Sequence, residues 1–146
     1  HRINMIALAF NDPKIKINNT EVDSNETNYT IRTIKKLKNQ FSHEFYWIVG
    51  SDVLKDLNDL NGWYGRDELL KETEFIIFSR NGYNVDTPKN MKIKKIFHIE
   101  SNNESSTDIR ERIRQNKPLK NLVPLIIEEY IKKEGLYKQW KFKHLQ

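Results

Sequence analysis

The sequence contains no cysteine, only five glycines and no long run of apolar residues. The lack of cysteine excludes a disulfide scaffold, a thiolate nucleophile and any zinc site built on cysteine ligands. No segment approaches the roughly 18 consecutive apolar residues that a membrane-spanning helix requires. The glycines form neither G-x-G-x-x-G nor G-x-x-x-x-G-K-[ST], and the four histidines show no H-E-x-x-H spacing. The dinucleotide-binding Rossmann, P-loop and zinc-protease classes therefore have no support.

The composition is that of a globular protein. Of the 146 residues, 37% are hydrophobic and 11% are aromatic, which argues against wholesale disorder. We expect residues 1–146 to form a single domain, with a frayed tail over residues 138–146. The lack of cysteine fits a reducing compartment, and we expect a cytoplasmic protein.

The charge is moderately basic, with 25 Lys and Arg against 20 Asp and Glu and a net charge of +5. The lysines are scattered along the chain, so most are expected on solvated faces of helices and strands. We therefore expect neither nucleic acid nor a membrane as partner.

Short apolar runs alternate with helical patterns along the chain. Residues 44–49 and 75–78 are apolar throughout, which is typical of parallel strands buried on both faces. Residues 92–99 are more polar and predict a strand nearer the edge, and residues 14–18 alternate as a short strand would. Helices are predicted over residues 1–10, 29–41, 52–57, 66–71, 107–115 and 124–133. This alternation predicts an α/β fold with a mostly parallel sheet.

Gly50, Ser51 and Asp52 directly follow the most apolar run. In open α/β sheets, ligands bind beyond the carboxyl ends of the strands. Gly50 would let the backbone approach a ligand, and Asp52 can accept hydrogen bonds from hydroxyls such as those of a ribose. The alternative is a glycine turn followed by an aspartate helix cap.

Ser105, Ser106 and Thr107 stand at the start of a predicted helix that carries Arg110 one turn further on. The positive end of a helix dipole favours an anion, and a guanidinium can be directed to the same place. These residues would form a phosphate site without a glycine-rich loop. The alternative is an ordinary capping box between Ser105 and Asp108.

Three further positions carry aromatic or polar groups. Trp63 and Tyr64 lie in a predicted loop, where a tryptophan can fill the core or offer a stacking surface to a flat ring. Thr30 begins a predicted helix, as a cap or as a ligand contact. Arg80 lies just past a predicted strand, where a phosphate could rest.

Taken in order, these segments resemble the bacterial-type nicotinate/nicotinamide mononucleotide adenylyltransferases. The resemblance covers nearly the whole chain, and each motif is short. It is carried by His1-Arg2, Tyr29-Thr30-Ile31, Ile48-Val49-Gly50-Ser51-Asp52, Trp63, Glu68-Leu69-Leu70, residues 75–80, Ser105-Ser106-Thr107-Asp108-Ile109-Arg110 and Leu122-Val123-Pro124. The resemblance implies a Rossmann-like nucleotidyltransferase fold. It also implies transfer of the AMP part of ATP to the mononucleotide, with release of pyrophosphate and with Mg²⁺ bound to ATP.

The resemblance also implies a role for each candidate residue. Trp63 would stack on the pyridine ring, and Thr30 would help to hold its carboxylate or amide. Substrate binding is implied for Thr30, Gly50, Ser51, Asp52, Trp63, Tyr64 and Arg80, of which Arg80 would meet the mononucleotide phosphate. The phosphates of ATP would be held by Ser105, Ser106, Thr107 and Arg110. No metal site of the chain's own is expected.

The chain departs from the family pattern in several places. The family's first strand and its G-x-F-D-P-x-H-x-x-H loop, whose histidines steady the transferred phosphate, would lie upstream of His1. We therefore expect this chain to be the larger, C-terminal part of the enzyme, with no catalytic residue of its own. Arg32 stands where Asp is common, Ser51 where Ala is usual and Glu104 where Ile is usual.

Two other functions are kept as alternatives. The first is another nucleotidyltransferase of the same superfamily, acting on phosphopantetheine or with CTP. The second is a non-catalytic basic domain that binds nucleic acid, although no basic stripe interleaved with aromatics is present. The sequence does not choose between nicotinate and nicotinamide, and it leaves a homo-oligomer open.

Overall fold

The computed structural model describes residues 1–79, 84–99 and 105–138. Within these ranges the chain forms helices and strands in the predicted alternation. They are α1 (Arg2–Ala9), α2 (Thr30–Gln40), β1 (Tyr46–Gly50), α3 (Leu54–Asn58), α4 (Arg66–Glu72), β2 (Glu74–Ser79), β3 (Lys92–His98), α5 (Ser106–Arg114) and α6 (Leu125–Lys133). A short 3-10 helix, Ser51–Val53, joins β1 to α3.

The chain divides into two compact units. The sheet unit is Asn19–Asn102, and the helical unit is His1–Asn18 together with Asn103–Gln146. The prediction of a single domain stays a prediction, and most of the predicted tail, residues 139–146, lies outside the described residues.

The sheet unit contains a parallel sheet with strand order β1-β2-β3. Successive strands lie side by side, with Val49 opposite Ile77 and Ile77 opposite Ile96. The predicted α/β fold with a parallel sheet is therefore confirmed. The more polar strand β3 lies at an edge, as its composition predicts.

The core of the sheet unit lies between one face of the sheet and helices α2, α3 and α4. Phe75 and Ile77 of the central strand are fully buried, together with Leu57 of α3 and Leu69 of α4. Ile31 and Ile34 supply the buried face of α2. Because the residues at alternate positions of β2 point to this layer, the helices are held against one face of the sheet.

Strand β3 contains one irregularity. Phe75 of β2 lies opposite Ile93, whereas the next residue, Ile76, lies opposite Lys95. Lys94 is thus an extra residue in β3, as in a β-bulge. The irregularity brings Ile93 and Ile96 to the same side of the sheet as Phe75 and Ile77.

Two expectations about strands were wrong. Residues 14–18 form no strand, and Ile15 and Ile17 are exposed, because no strand of the described sheet pairs with them. A turn at Asp12 precedes the segment, with the Ile15 N–H donating to the Asp12 carbonyl at 2.9 Å. Strand β1 is not buried on both faces either, since Ile48 is 63% exposed on the face opposite Val49.

The helical unit has its own small core. Leu119, Ile127 and Ile131 are buried, with Met5 of α1 and Ile109 of α5 packed against them. No helix of the described residues is long and apolar enough to cross a membrane.

Ile77 is buried in β2 and Ile48 is exposed in the neighbouring strand β1, so the two residues give a matched test of this packing. Ile77→Ala is expected to lower the free energy of unfolding by about 2–5 kcal/mol, because it opens a cavity in a closed core. Ile48→Ala removes the same atoms from an exposed side chain and is expected to change it by less than about 0.5 kcal/mol. Urea unfolding of both variants measures the difference, and equal losses would contradict the assigned core.

Candidate functional site

The first predicted group lies at the carboxyl end of β1. Gly50 is the last residue of the strand, and Ser51 and Asp52 form the 3-10 helix that follows. Ser51 is buried, and Asp52 is partly exposed. Asp52 lies in the first turn rather than at the cap position, which Gly50 occupies without a side-chain hydrogen bond. The three residues therefore lie where a ligand beyond the sheet edge would meet them.

The loop that carries Trp63 and Tyr64 is confined by two glycines. A Cβ at Gly62 would collide with the backbone carbonyl of Asp56. Gly65 has φ +65°, and a Cβ there would lie 2.9 Å from a methyl group of Ile31 in α2. Both positions therefore require glycine, one for close approach and one also for its left-handed backbone. The loop is held against the start of α2.

The two aromatic residues of this loop differ in their surroundings. Trp63 is partly buried and packs against the core of the sheet unit. Tyr64 is 55% exposed, and its ring stacks on Tyr29 at a centroid distance of 4.1 Å. Trp63 thus serves in part as core, while its exposed part and the Tyr64 ring remain open to a ligand.

Arg32 joins the start of α2 to the loop. Its Nη2 donates to the hydroxyl of Tyr64 at 3.4 Å, and the guanidinium carbon lies 5.2 Å from the centres of both the Tyr29 and Tyr64 rings. The hydrogen bond to the Tyr64 hydroxyl raises the pKa of Arg32 above its usual value. Thr30 is the first residue of α2, and the cap residue before it, Tyr29, makes no side-chain capping hydrogen bond.

The residues predicted to bind the substrate thus fall into two groups in the structure. Tyr64 contacts Arg32 in the first turn of the helix that Thr30 begins. Gly50, Ser51 and Asp52 form a second group at the sheet edge. Arg80 lies outside the described residues.

The start of α5 carries both of the arrangements that its sequence allows. Asp108 accepts hydrogen bonds from the Ser105 hydroxyl at 2.6 Å and from the Ser105 N–H at 2.7 Å, and Ser105 accepts from the Asp108 N–H at 3.2 Å. This is a complete capping box. The hydrogen bonds from Ser105 hold the pKa of Asp108 below its ordinary value of 3.8.

Arg110 reaches back to the same helix start. Its Nη2 donates to the hydroxyl of Thr107 at 3.0 Å, while Ser106 and Thr107 are exposed. A guanidinium beside exposed hydroxyls at the positive end of a helix is suited to an anion. The capping box does not occupy Ser106 or Thr107.

A cavity of about 380 Å³ in the helical unit adjoins this helix start. Its walls are mainly apolar and come from α1, α5 and α6. The polar part of its lining is formed by Arg2, Ser106 and Arg110. The helix start therefore faces a space with apolar walls and two cations.

The described residues contain no group of three or more His, Cys, Asp or Glu side chains that could hold a metal ion. Several lysines have local partners: Lys35 lies 2.5 Å from Glu68, Lys132 lies 2.6 Å from Glu128, and Lys38 donates to the carbonyl of Glu72. Lys35 and Lys38 thus join α2 to α4, whereas Lys132 pairs within α6.

A family model described as cytidylyltransferase-like matches residues 1–112. Together with the parallel sheet, this match defines a nucleotidyltransferase, and the chain belongs to the cytidylyltransferase-like family. It is 39% identical over 139 residues to a probable nicotinate-nucleotide adenylyltransferase of Staphylococcus epidermidis, and 33% identical to nicotinate-nucleotide adenylyltransferase of Bacillus subtilis. Each match covers 94% of this chain and 70% of the relative. Within its family, the chain belongs to the nicotinate-nucleotide adenylyltransferases.

A solved structure supports the fold. Plasmodium falciparum nicotinic acid mononucleotide adenylyltransferase, complexed with NaAD, superposes with a TM-score of 0.73 at 24% sequence identity. The match covers 93% of this chain and 72% of that chain. The predicted resemblance and the Rossmann-like nucleotidyltransferase fold are confirmed.

Sequence reasoning missed the contact between Arg32 and Tyr64 and the cavity beside Arg110. The first joins residues 32 positions apart and therefore has no local signal. The second depends on the meeting of three helices that are distant in sequence.

The capping box makes stability depend on pH. Because the folded-state pKa of Asp108 is lowered, the box stabilises the fold above about pH 4, and this contribution is lost as the pH falls through the folded pKa. Asp108→Asn is expected to be less stable at pH 7 and to lose less stability between about pH 5 and about pH 3.

Ser105→Ala, which removes the hydroxyl donor and the cap, is expected to cost about 1 kcal/mol at pH 7 and to flatten the profile in the same way. Thermal unfolding across this pH range measures both variants. An Asp108→Asn profile parallel to that of the unmodified chain would show that another group causes the acid loss.

Proposed function

We propose that this protein transfers the adenylyl group of ATP to nicotinate mononucleotide, forming the deamido form of NAD and pyrophosphate in NAD biosynthesis. The observation that carries the proposal is the start of α5, where Arg110 is bonded to Thr107 beside exposed hydroxyls. Membership of the nicotinate-nucleotide adenylyltransferases supports the choice of substrates.

The phosphates of ATP would be held at this helix start. Ser106 and Thr107 offer hydroxyls and backbone N–H groups, and Arg110 offers a guanidinium already directed to that place. Ser105 is engaged with Asp108 and would shape the helix start rather than bind phosphate through its hydroxyl. The adjoining cation Arg2 increases the positive field at the cavity.

The mononucleotide would bind in the sheet unit. The exposed part of Trp63 would stack on the pyridine ring, and Thr30 at the start of α2 would meet the substituent of that ring. Gly50, Ser51 and Asp52, at the carboxyl end of β1, would line the nucleotide cleft. Arg80 keeps its proposed role toward the mononucleotide phosphate.

The chemistry asked of these residues is positioning and charge neutralisation. Nucleotidyl transfer by in-line displacement needs two bound nucleotides held in register and donors aimed at the phosphate oxygens. The described residues offer no cluster of acidic ligands for a resident metal ion. Mg²⁺ would therefore arrive with ATP, and no residue of the described ranges is assigned to it.

The alternative of a nucleic-acid-binding domain is less well supported. Lys35 and Lys38 of α2 are held by acceptors on α4, and Lys132 is held by Glu128 on its own helix α6, so these cations are engaged with local acceptors. Because the family model is described as cytidylyltransferase-like, CTP is the nucleotide with which ATP is compared in the test.

The proposal is tested by mixing the protein with ATP and nicotinate mononucleotide and measuring pyrophosphate. We expect release with ATP and little with CTP, and we expect saturable quenching of tryptophan fluorescence by the mononucleotide. Trp63→Phe is the control and is expected to abolish most of the quenching. The proposal would be contradicted if neither pyridine mononucleotide quenched the fluorescence and neither gave pyrophosphate.

The phosphate assignment is tested separately with Arg110→Ala. Loss of a charge-assisted contact is expected to raise the KM for ATP about tenfold or more, with the KM for the mononucleotide within about twofold. Arg114→Ala, on the same helix and paired with Glu111 at 3.1 Å, is the matched control and is expected to change neither value appreciably. Equal losses for both substrates in Arg110→Ala would contradict the assignment.

A further inference from the structure

Arg32 carries a positive charge that is only weakly neutralised. Within the described ranges, the carboxylate that pairs with it is that of Glu26, with the nearest atoms 3.6 Å apart. The side chains of this pair are 51% and 79% exposed, so water screens the pair. The other partners are two tyrosine rings, whose faces attract a cation without cancelling its charge.

The same contacts fix the position of this charge. The guanidinium lies over the stacked rings of Tyr29 and Tyr64 and donates one hydrogen bond to the Tyr64 hydroxyl. A guanidinium has five N–H donors in a rigid plane, so this single bond leaves donors for a further acceptor. Arg32 is therefore a cation held in place by its neighbours rather than a freely moving surface chain.

Arg32 also lines a polar cavity beside α2. A polar cavity of about 390 Å³ beside α2 is lined by Glu26, Arg32 and Lys36 among uncharged polar residues. Glu21, the other carboxylate near this end of α2, accepts a hydrogen bond from the Thr33 hydroxyl at 2.6 Å. Two cations thus face one screened carboxylate in this cavity.

Arg32 is connected to the proposed pyridine site through Tyr64. Its Nη2 donates to the Tyr64 hydroxyl at 3.4 Å, and Tyr64 directly follows Trp63. An acid and an amide substituent on the ring have nearly the same shape but differ by one negative charge. Stacking on Trp63 distinguishes them poorly, whereas a fixed cation nearby distinguishes them by its Coulomb energy.

We propose that Arg32 is a specificity-determining residue that favours an acid pyridine mononucleotide over the corresponding amide. The inference rests on the proposed function, because it takes the pyridine ring to lie at Trp63. Arg32 acts through the charge that its contacts with Tyr29 and Tyr64 hold at the junction of α2 and the loop.

The test compares nicotinate mononucleotide with nicotinamide mononucleotide in three variants. Dissociation constants come from tryptophan quenching, and kcat/KM comes from pyrophosphate release with ATP. Arg32→Gln is expected to reduce the preference for the acid about five- to thirtyfold, through weaker binding of the acid, with the amide changed less than about twofold. Arg32→Lys keeps the charge and is expected to keep the preference within about threefold. Lys36→Gln removes the same charge one turn further along α2 and is the matched control.

The dependence of the acid preference on salt concentration gives a second measurement, which a purely structural role of Arg32 would not affect. Raising KCl from about 0.05 M to about 0.5 M is expected to lower the acid preference of the unmodified protein and to leave that of Arg32→Gln nearly constant. Equal weakening of both mononucleotides in Arg32→Gln, or an equal shift in Lys36→Gln, would overturn the inference while leaving the proposed function intact. Failure of the unmodified protein to bind or use either mononucleotide would overturn both.

Discussion

Burial of one face of the parallel sheet beneath α2, α3 and α4 is the constraint on which the rest of the sheet unit depends. The central strand contributes Phe75 and Ile77, both completely enclosed, and the helices contribute Leu57 and Leu69. Parallel strands end at the same edge, so fixing their lateral order also fixes where their carboxyl ends emerge. The position of Gly50 at that edge is thus a consequence of packing several residues away.

Ile31 connects the same core to the loop of Trp63. Ile31 is buried in the core, and its methyl group lies against the place where Gly65 lacks a side chain. The neighbours of Ile31 in sequence are Thr30 and Arg32, which carry the polar side of the junction. The apolar layer therefore sets the geometry of the polar groups, and the hydrogen bond between Arg32 and Tyr64 refines it.

Local patterns predicted most of the elements and some of the site. The helices follow apolar spacing, and the predicted boundaries of α2, α4 and α6 differ from the structure by no more than one residue at either end. The contact of Arg110 with Thr107 spans one helical turn and could be predicted, as could the capping box of Ser105 and Asp108. The two wrong predictions concern how strands pair and pack. Residues 14–18 alternate as a strand would but have no partner in the described sheet. Ile48 lies in an apolar run typical of a buried strand, yet its side chain is on an exposed face. The contact of Arg32 with Tyr64 joins residues 32 positions apart, and no local rule specifies it.

The extra residue in β3 explains the irregular spacing of the apolar residues in that strand. Ile93 and Ile96 are three positions apart, a spacing that belongs to helices, yet both lie on one side of the sheet because Lys94 interrupts the alternation. The irregularity therefore changes which residues of β3 face the helix layer. Before Lys94 the odd-numbered residues of β3 point to this layer, and after it the even-numbered residues do. Deleting Lys94 would therefore give a regular strand in which Ile93 and Ile96 still face the helix layer, while Lys92 and Lys95 stay on the opposite side.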